Sequence, residues 1–431
     1  MQAGLKQISF PYLDQPPSPA DTSTTFLDNL SLPIHRWFRF SAGFSANWVR
    51  QIIGAELGKG RKRVLDPFVG SGTVLLEAEL LGAESIGIEA HPFLARIGGA
   101  RLNWRESSDS FRQHASRILA KAKSMRGSTS AYPPLIKTCF PRETLLRLDA
   151  LRRAWGQYAD ESPSSELCWL ALVSILRSCS PVGTAQWQYV LPRKSKKRVL
   201  EPYAAFEGKV HLMACDMSFL QETPLRARAK LVWEDARHCS SVPPSWADLI
   251  VTSPPYPNNY DYADALRLEM SFFGEVSKWS DLQSAVRKYL LRSCTQHVAE
   301  SVQNTFEIIQ DPLLGPIRKQ LEDRCRRLAA ERQSHRGHKA YHTMIATYFY
   351  DMGAVWQALR RVSARGCLVC FVVGDSAPYG VHVPVESWLG ELALGAGFRT
   401  WTFEKTRDRN VKWRNRKHRT PLHEGRLWVH G

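Results

Sequence analysis

Asp248-Leu-Ile-Val-Thr-Ser-Pro-Pro-Tyr256 decides how the rest of the chain is read. Its apolar, β-branched run predicts a buried strand, and two prolines end that strand because they cannot donate to a sheet ladder. Ser253, the rigid Pro254-Pro255 backbone and the ring of Tyr256 then stand together at one rim of a sheet. In an open α/β sheet the carboxyl rim is where ligands bind. A hydroxyl, a fixed carbonyl and an aromatic face together suit a flat molecule that carries an amino group.

Upstream, Arg63-Val-Leu-Asp-Pro-Phe-Val-Gly-Ser-Gly-Thr73 and the apolar text up to Gly82 predict strand, glycine-bearing turn and helix. The helix opens at Thr73 and stops at Gly82. Gly70 and Gly72 let the backbone approach a ligand closely, and the helix N-terminus favours a carboxylate or polar group. The next strand, over 85–88, ends at Glu89, placed to accept hydrogen bonds from ribose hydroxyls. Asp66, Pro67, Phe68, Gly70, Ser71, Gly72, Thr73 and Glu89 are therefore candidate ligand-binding residues. Farther upstream, an aromatic-rich turn leads into a helix capped by Ser45, with Trp48, Ile52 and Ile53 facing inward.

Ser253-Pro-Pro-Tyr256 resembles the catalytic motif of S-adenosylmethionine-dependent DNA amino-methyltransferases, and Asp66-Pro-Phe-Val-Gly-Ser-Gly-Thr73 resembles their cofactor motif. Phe40-Ser-Ala-Gly-Phe44 is similar to the aromatic element that lines the methionine part of the cofactor, which points to Phe44. Leu231-Val-Trp-Glu-Asp235, read as a strand ending at Asp235, resembles the element whose Asp accepts from the adenine amino group; it points to Asp235 and Ala236. The resemblance implies a Rossmann-like α/β fold with a mostly parallel sheet and largely helical insertions. It also implies S-adenosyl-L-methionine as cofactor, no metal, and Ser253, Pro254, Pro255 and Tyr256 as the catalytic set.

The expected reaction is methyl transfer to the exocyclic amine of a base flipped out of double-stranded DNA. In the family, Ser at the first motif position is commoner among enzymes of cytosine N4, and Asp or Asn among those of adenine N6, so Ser253 favours cytosine N4. Attack at cytosine C5 needs a cysteine that its own family places after proline, and the chain has no Pro-Cys pair. The alternatives are adenine N6, an RNA methyltransferase, a protein-glutamine methyltransferase, and a DNA-binding module without catalysis. A companion restriction endonuclease is a partner on which the text is silent.

Charge supports a polyanionic partner. The 431 residues carry a formal net charge of +17, and such an excess fits nucleic acid first. Eight basic residues against one acidic crowd into 405–419, and five more fall in 193–198, so two short segments supply most of the excess. The candidate nucleic-acid contacts are Trp187, Tyr189, Arg193 and Lys194 in the first region and Lys412, Arg414, Arg416 and Lys417 in the second. Nine cysteines without dense spacing imply reduced thiols and a cytoplasmic setting. Cys367 and Cys370 lie within an apolar run and read as buried strand. No apolar stretch is long enough to span a membrane, and no signal-peptide pattern opens the chain.

The expected organisation is an arm over 1–32, the cofactor half over 33–104, and an insertion over 105–229 that is the candidate target-recognition region. The catalytic part follows over 230–274, then a helical basic insertion over 275–340, then the last part of the methyltransferase domain over 341–431. After the catalytic motif a helix is expected over 263–273, with Arg267 and Glu269 as a solvated pair. Asn258, Asn259, Tyr260, Asp261 and Tyr262 fit either a base pocket or a turn.

Overall fold

The computed structural model describes residues 28–183, 191–222, 227–258, 260–298, 304–334, 339–409 and 420–431. Seven strands form its main sheet: β1 (Arg63–Asp66), β2 (Glu84–Glu89), β3 (Ala229–Trp233), β4 (Ala247–Thr252), β5 (Ser363–Gly374), β6 (Thr400–Arg409) and β7 (Leu422–His430). Their spatial order is β3-β2-β1-β4-β5-β7-β6. The first five are parallel, and β7 and β6 close the edge antiparallel. This is the expected fold class.

Both faces of the central strands are covered, so β4 reads as a nearly continuous apolar run. Val64, Leu249, Val251 and Cys370 pack on one face against helix α1 (Ala46–Leu57) and helix α2 (Thr73–Leu80). Leu65, Ile250, Val369 and Phe371 pack on the other against α9 (Tyr341–Val362) and α10 (Val385–Gly395). Ser45 caps α1 as expected, its Oγ accepting from Trp48 N at 3.3 Å. Cys367 and Cys370 are buried in β5. No helix among the described residues is long and apolar enough to cross a membrane.

Helix α3 (Pro92–Leu102) is followed by the helices of the first insertion: α4 (Ser108–Ser124), α5 (Arg142–Tyr158), α6 (Pro163–Cys179) and α7 (Pro202–Gln221). They share one core with Trp37, Phe40, Leu76 and Phe93 of the cofactor half. Asp216 on α7 fixes that join, accepting from Ile34 N (3.2 Å) and Trp37 Nε1 (2.9 Å) and pairing with Arg36. The expected loose arm ends earlier than 32: Asn29 is buried and bonds both Phe44 O and Ala46 N.

Residues 191–195 are a strand paired antiparallel with Val182–Gly183, so the first basic run begins within a strand. Lys196 Nζ is turned inward onto Arg177 O at 2.6 Å. The expected end of one strand also moves: β3 stops at Trp233, two residues before Asp235.

The reading of Arg267 and Glu269 as a solvated pair is corrected. The helix is broken at Leu266, and α8 (Arg267–Phe273) turns Glu269 into the core at 1% exposure. Its carboxylate takes Arg177 Nε at 2.6 Å and Nη2 at 2.7 Å, whereas Arg267 pairs with Asp264. Removing one member of a buried pair leaves the other charge unpaired, at about 3–5 kcal/mol. Glu269→Ala is therefore expected to lower unfolding stability by that amount in urea titrations. A loss under 1 kcal/mol would show that water reaches Arg177.

Candidate active site

The strand order reverses between β1 and β4, and a crevice opens there outside the carboxyl ends. The glycine turn leaves β1 and the Pro-Pro segment leaves β4, so both sequence motifs arrive at this reversal. One hydrogen bond ties them: Thr252 Oγ1 donates to Asp66 Oδ1 at 2.6 Å. Asp66 Oδ1 also accepts from Phe68 N at 3.0 Å, while the buried Oδ2 has no hydrogen-bond partner. Burial pushes the Asp66 carboxyl up to about 7.

The turn itself needs glycine. Gly70 and Gly72 have φ of 57° and 94°, in the left-handed region that L side chains avoid. Gly70 N donates to Glu89 Oε2 at 2.7 Å, and His91 N donates to Glu89 Oε1 at 2.8 Å, so the tip of β2 holds the turn open. Desolvation raises the Glu89 carboxyl to about 7. The turn packs so closely on β2 that a Cβ at Gly87 would sit 2.3 Å from Val69 Cγ2.

A cleft of about 560 Å³ joins the two motifs, within the range of small-ligand sites. Phe44, Pro67, Phe68, Gly70, Glu89, Asp235 and Ala236 line it, together with Ser253, Pro255 and Tyr256. Asp66, Ser71, Gly72 and Thr73 are buried around the turn, and Pro254 is buried behind Ser253. Ser253 Oγ donates toward Val372 O at 3.3 Å, and the Tyr256 side chain stands within hydrogen-bonding reach of the same hydroxyl. Asp235 is held by Arg237, whose Nε lies 2.9 and 3.0 Å from its two oxygens.

Other residues at the site escaped the sequence reading. Thr252 is the hydroxyl just before the motif, and its place opposite the acidic tip of β1 was the available signal. Arg407 and Arg409 line the cleft but were counted only within a basic run. His91, also in the wall, is 1% exposed with neither ring nitrogen hydrogen-bonded; burial lowers it to about 4, so it is neutral. Asn258, Tyr260 and Tyr262 line the same cleft. Asp261 does not: it caps the following short helix and anchors the second insertion through Arg287 Nη2 at 2.6 Å, beside His297. Trp187, Tyr189, Asn259, Lys412, Arg414, Arg416 and Lys417 lie outside the described residues, and only the strand backbone of Arg193 and Lys194 is described.

The cavity fits an amphipathic nucleoside. Aromatic rings from Phe40, Phe44 and Phe68 line the wall near the glycine turn, and the carboxylates Glu89 and Asp235 offer acceptors to hydroxyl and amino groups. Beyond Gly70, whose missing side chain leaves only the Phe40 ring 3.5 Å from a Cβ position, the backbone itself forms the wall.

Comparison with known proteins agrees. The DNA methylase family model for N6- and N4-methyltransferases matches residues 18–98. The chain is 28% identical over 417 residues to the type II methyltransferase M.AvaI of Nostoc sp. (strain PCC 7120 / SAG 25.82 / UTEX 2576), covering 87% of this chain and 81% of that protein. The M.AvaI of Anabaena variabilis gives the same figures. The type II methyltransferase M.BsoBI of Geobacillus stearothermophilus is 25% identical over 423 residues, covering 86% and 80%. No solved structure matches. With both motifs on one cleft of a mostly parallel sheet, the chain is similar to the amino-methyltransferase family, whose cofactor is S-adenosyl-L-methionine.

Proposed function

We infer that the chain methylates one exocyclic amine at a defined sequence in double-stranded DNA, with cytosine N4 as the acceptor. The observation that carries this reading is the Thr252–Asp66 hydrogen bond, which holds Ser253 to Tyr256 and the glycine turn on a common cleft. S-Adenosyl-L-methionine, when bound, supplies an electrophilic methyl group on a sulfonium.

Everything else falls to this chain's own residues. Phe44, Phe68 and the Gly70 backbone receive the methionine end, Glu89 the ribose and Asp235 with Ala236 the adenine. On the opposite side the base stacks on Tyr256. Its amine donates to Ser253 Oγ and to the Pro254 carbonyl, which localises the nitrogen lone pair that ring conjugation otherwise spreads. These contacts would hold the nitrogen lone pair toward the methyl group that S-adenosyl-L-methionine would supply, and the surplus amine proton would pass to solvent. Positioning of this kind contributes on the order of 7–11 kcal/mol.

The base must leave the duplex at a cost of a few kcal/mol, partly offset by roughly 1–3 kcal/mol of stacking. Phosphate contacts from Arg193, Lys194, Lys412, Arg414, Arg416 and Lys417 make up the difference, so binding falls steeply with salt. Residues 105–229 are the proposed target reader. The relatives are type II methyltransferases, and by analogy a cognate restriction endonuclease is the proposed companion.

Mass spectrometry of nucleosides from the DNA of cells expressing the chain tests the reading. N4-methylcytosine is expected. N6-methyladenine alone would overturn the cytosine assignment, and an unmodified pool together with a wild-type protein that binds no S-adenosylmethionine would overturn the whole.

A further inference from the structure

We propose that Arg409 selects cytosine over adenine by donating to the ring acceptors beside cytosine's amine. This rests on the cytosine-N4 reading above and concerns the same cleft.

Arg409 is the last residue of β6, at the far edge of the sheet in strand order, yet its side chain folds back over the carboxyl ends of the central strands. Its Nη1 donates to Asp375 O at 3.0 Å, just past the end of β5. Asp375 is itself fixed, its Oδ1 accepting from His423 N at 2.8 Å. The guanidinium lies close against the backbone: a Cβ at Gly374 would stand 2.6 Å from Arg409 Nη1. The result is a guanidinium seated over the Tyr256 ring, its central carbon 5.2 Å from the ring centroid.

The neighbouring charges leave this end of the cleft cationic. Glu424 is 4% exposed and takes Arg407 Nη2 at 2.7 Å, with Arg409 Nε at 3.9 Å from its other oxygen. One carboxylate thus faces two guanidinium groups, and all three side chains line the cleft. The chemistry assigned to Ser253 and Pro254 asks only for acceptors, so it gives this cation no task.

The flipped base gives it one. Enzymes that extrude a base read it along its Watson–Crick edge. In cytosine that edge runs from the N4 amine to two acceptors, N3 and O2. In adenine it runs from the N6 amine to one acceptor, N1, and then to a carbon-bound hydrogen. With the amine at Ser253 and the ring on Tyr256, the two acceptors of cytosine meet a guanidinium that presents parallel donors. Adenine would leave one desolvated donor without a partner, which is the kind of mismatch a binding site rejects strongly.

The test uses the full chain and synthetic duplexes carrying the site mapped in DNA from expressing cells, with either cytosine or a mispaired adenine at the target position. Arg409→Met is expected to lower kcat/KM on the cytosine duplex by about 10- to 100-fold and to change the adenine duplex by less than about three-fold. Arg409→Lys, which keeps a charge and a donor, should recover part of the preference. S-Adenosylmethionine affinity, measured by calorimetry, should stay at the wild-type value. Equal losses on both duplexes would mean that Arg409 contacts phosphate or merely supports the strand, and would overturn the proposal, as would no loss on either. A wild-type enzyme that makes N6-methyladenine at its natural site would overturn this and the cytosine reading together. A cytosine product with an unchanged base preference in Arg409→Met would overturn this inference alone.

Discussion

Ser253→Ala is expected to slow single-turnover methyl transfer about 100- to 1,000-fold while leaving the Kd for S-adenosylmethionine within two-fold. The proposed role of Ser253 is to accept from the amine, and its own proton is already directed to Val372 O at 3.3 Å. Alanine removes that acceptor and leaves the nitrogen with the Pro254 carbonyl alone. Loss of one preorganised polar group aimed at the reacting centre typically costs this much in kcat. The substitution removes a single oxygen from a half-buried position, so folding should survive it. Tyr256→Ala should act differently. It forfeits roughly 1–3 kcal/mol of stacking, so DNA with an abasic or mismatched target should bind almost as well as to wild type while methylation collapses. If Ser253→Ala keeps more than a tenth of the wild-type rate, or if cofactor affinity falls as steeply as the rate, the hydroxyl is not the amine acceptor.

The two motifs were legible because each is local. A glycine turn between strand and helix, and a strand cut off by two prolines, encode their geometry within a dozen residues. The shared cleft follows from strand order, which their succession along the chain already implied. What the sequence hid is long-range. Glu269 looks like any solvated helix charge until Arg177 arrives from 92 positions away. Residues 405–409 read as part of a basic docking run because an edge strand can carry charge on its open side. Only backbone pairing with β7 shows that Arg407 and Arg409 belong to the sheet and reach the cleft. Helix α7 packs against α4 and α6, but its outer face carries Ala204, Gly208 and Cys215 while Asp216 is buried on its inner face, which blurs the one-faced periodicity of a surface helix.

Asp66→Asn should make the protein more stable above pH 7 and bind its cofactor less tightly, two effects that share one cause. Asp66 is fully buried; one oxygen accepts from Thr252 and Phe68 N, and the other has no hydrogen-bond partner. Desolvation therefore raises its pKa from 3.8 to about 7 in the folded chain. Below pH 4 both folded and unfolded forms hold the proton and nothing is lost. Between about 4 and 7 the unfolded chain releases it while the folded chain retains it, so stability declines as pH rises through this window. At about 1.4 kcal/mol per unit, the decline approaches 4 kcal/mol by pH 8. Asparagine keeps an acceptor for Thr252 and Phe68 N and has nothing to ionise. The gap between variant and wild type should then open from near zero at pH 4 to about 2–4 kcal/mol at pH 8 in urea titrations. The same ionised carboxylate lies beneath the turn proposed to receive a ligand bearing sulfonium and ammonium charges, where an opposite charge in a low-dielectric setting strengthens binding. Calorimetry should accordingly show the variant about ten-fold weaker for S-adenosylmethionine at pH 8 and close to wild type at pH 6, where Asp66 is protonated. Parallel stability profiles for the two proteins across pH 4–8 would mean that Asp66 is solvated or paired in solution, and both halves of the expectation would fall.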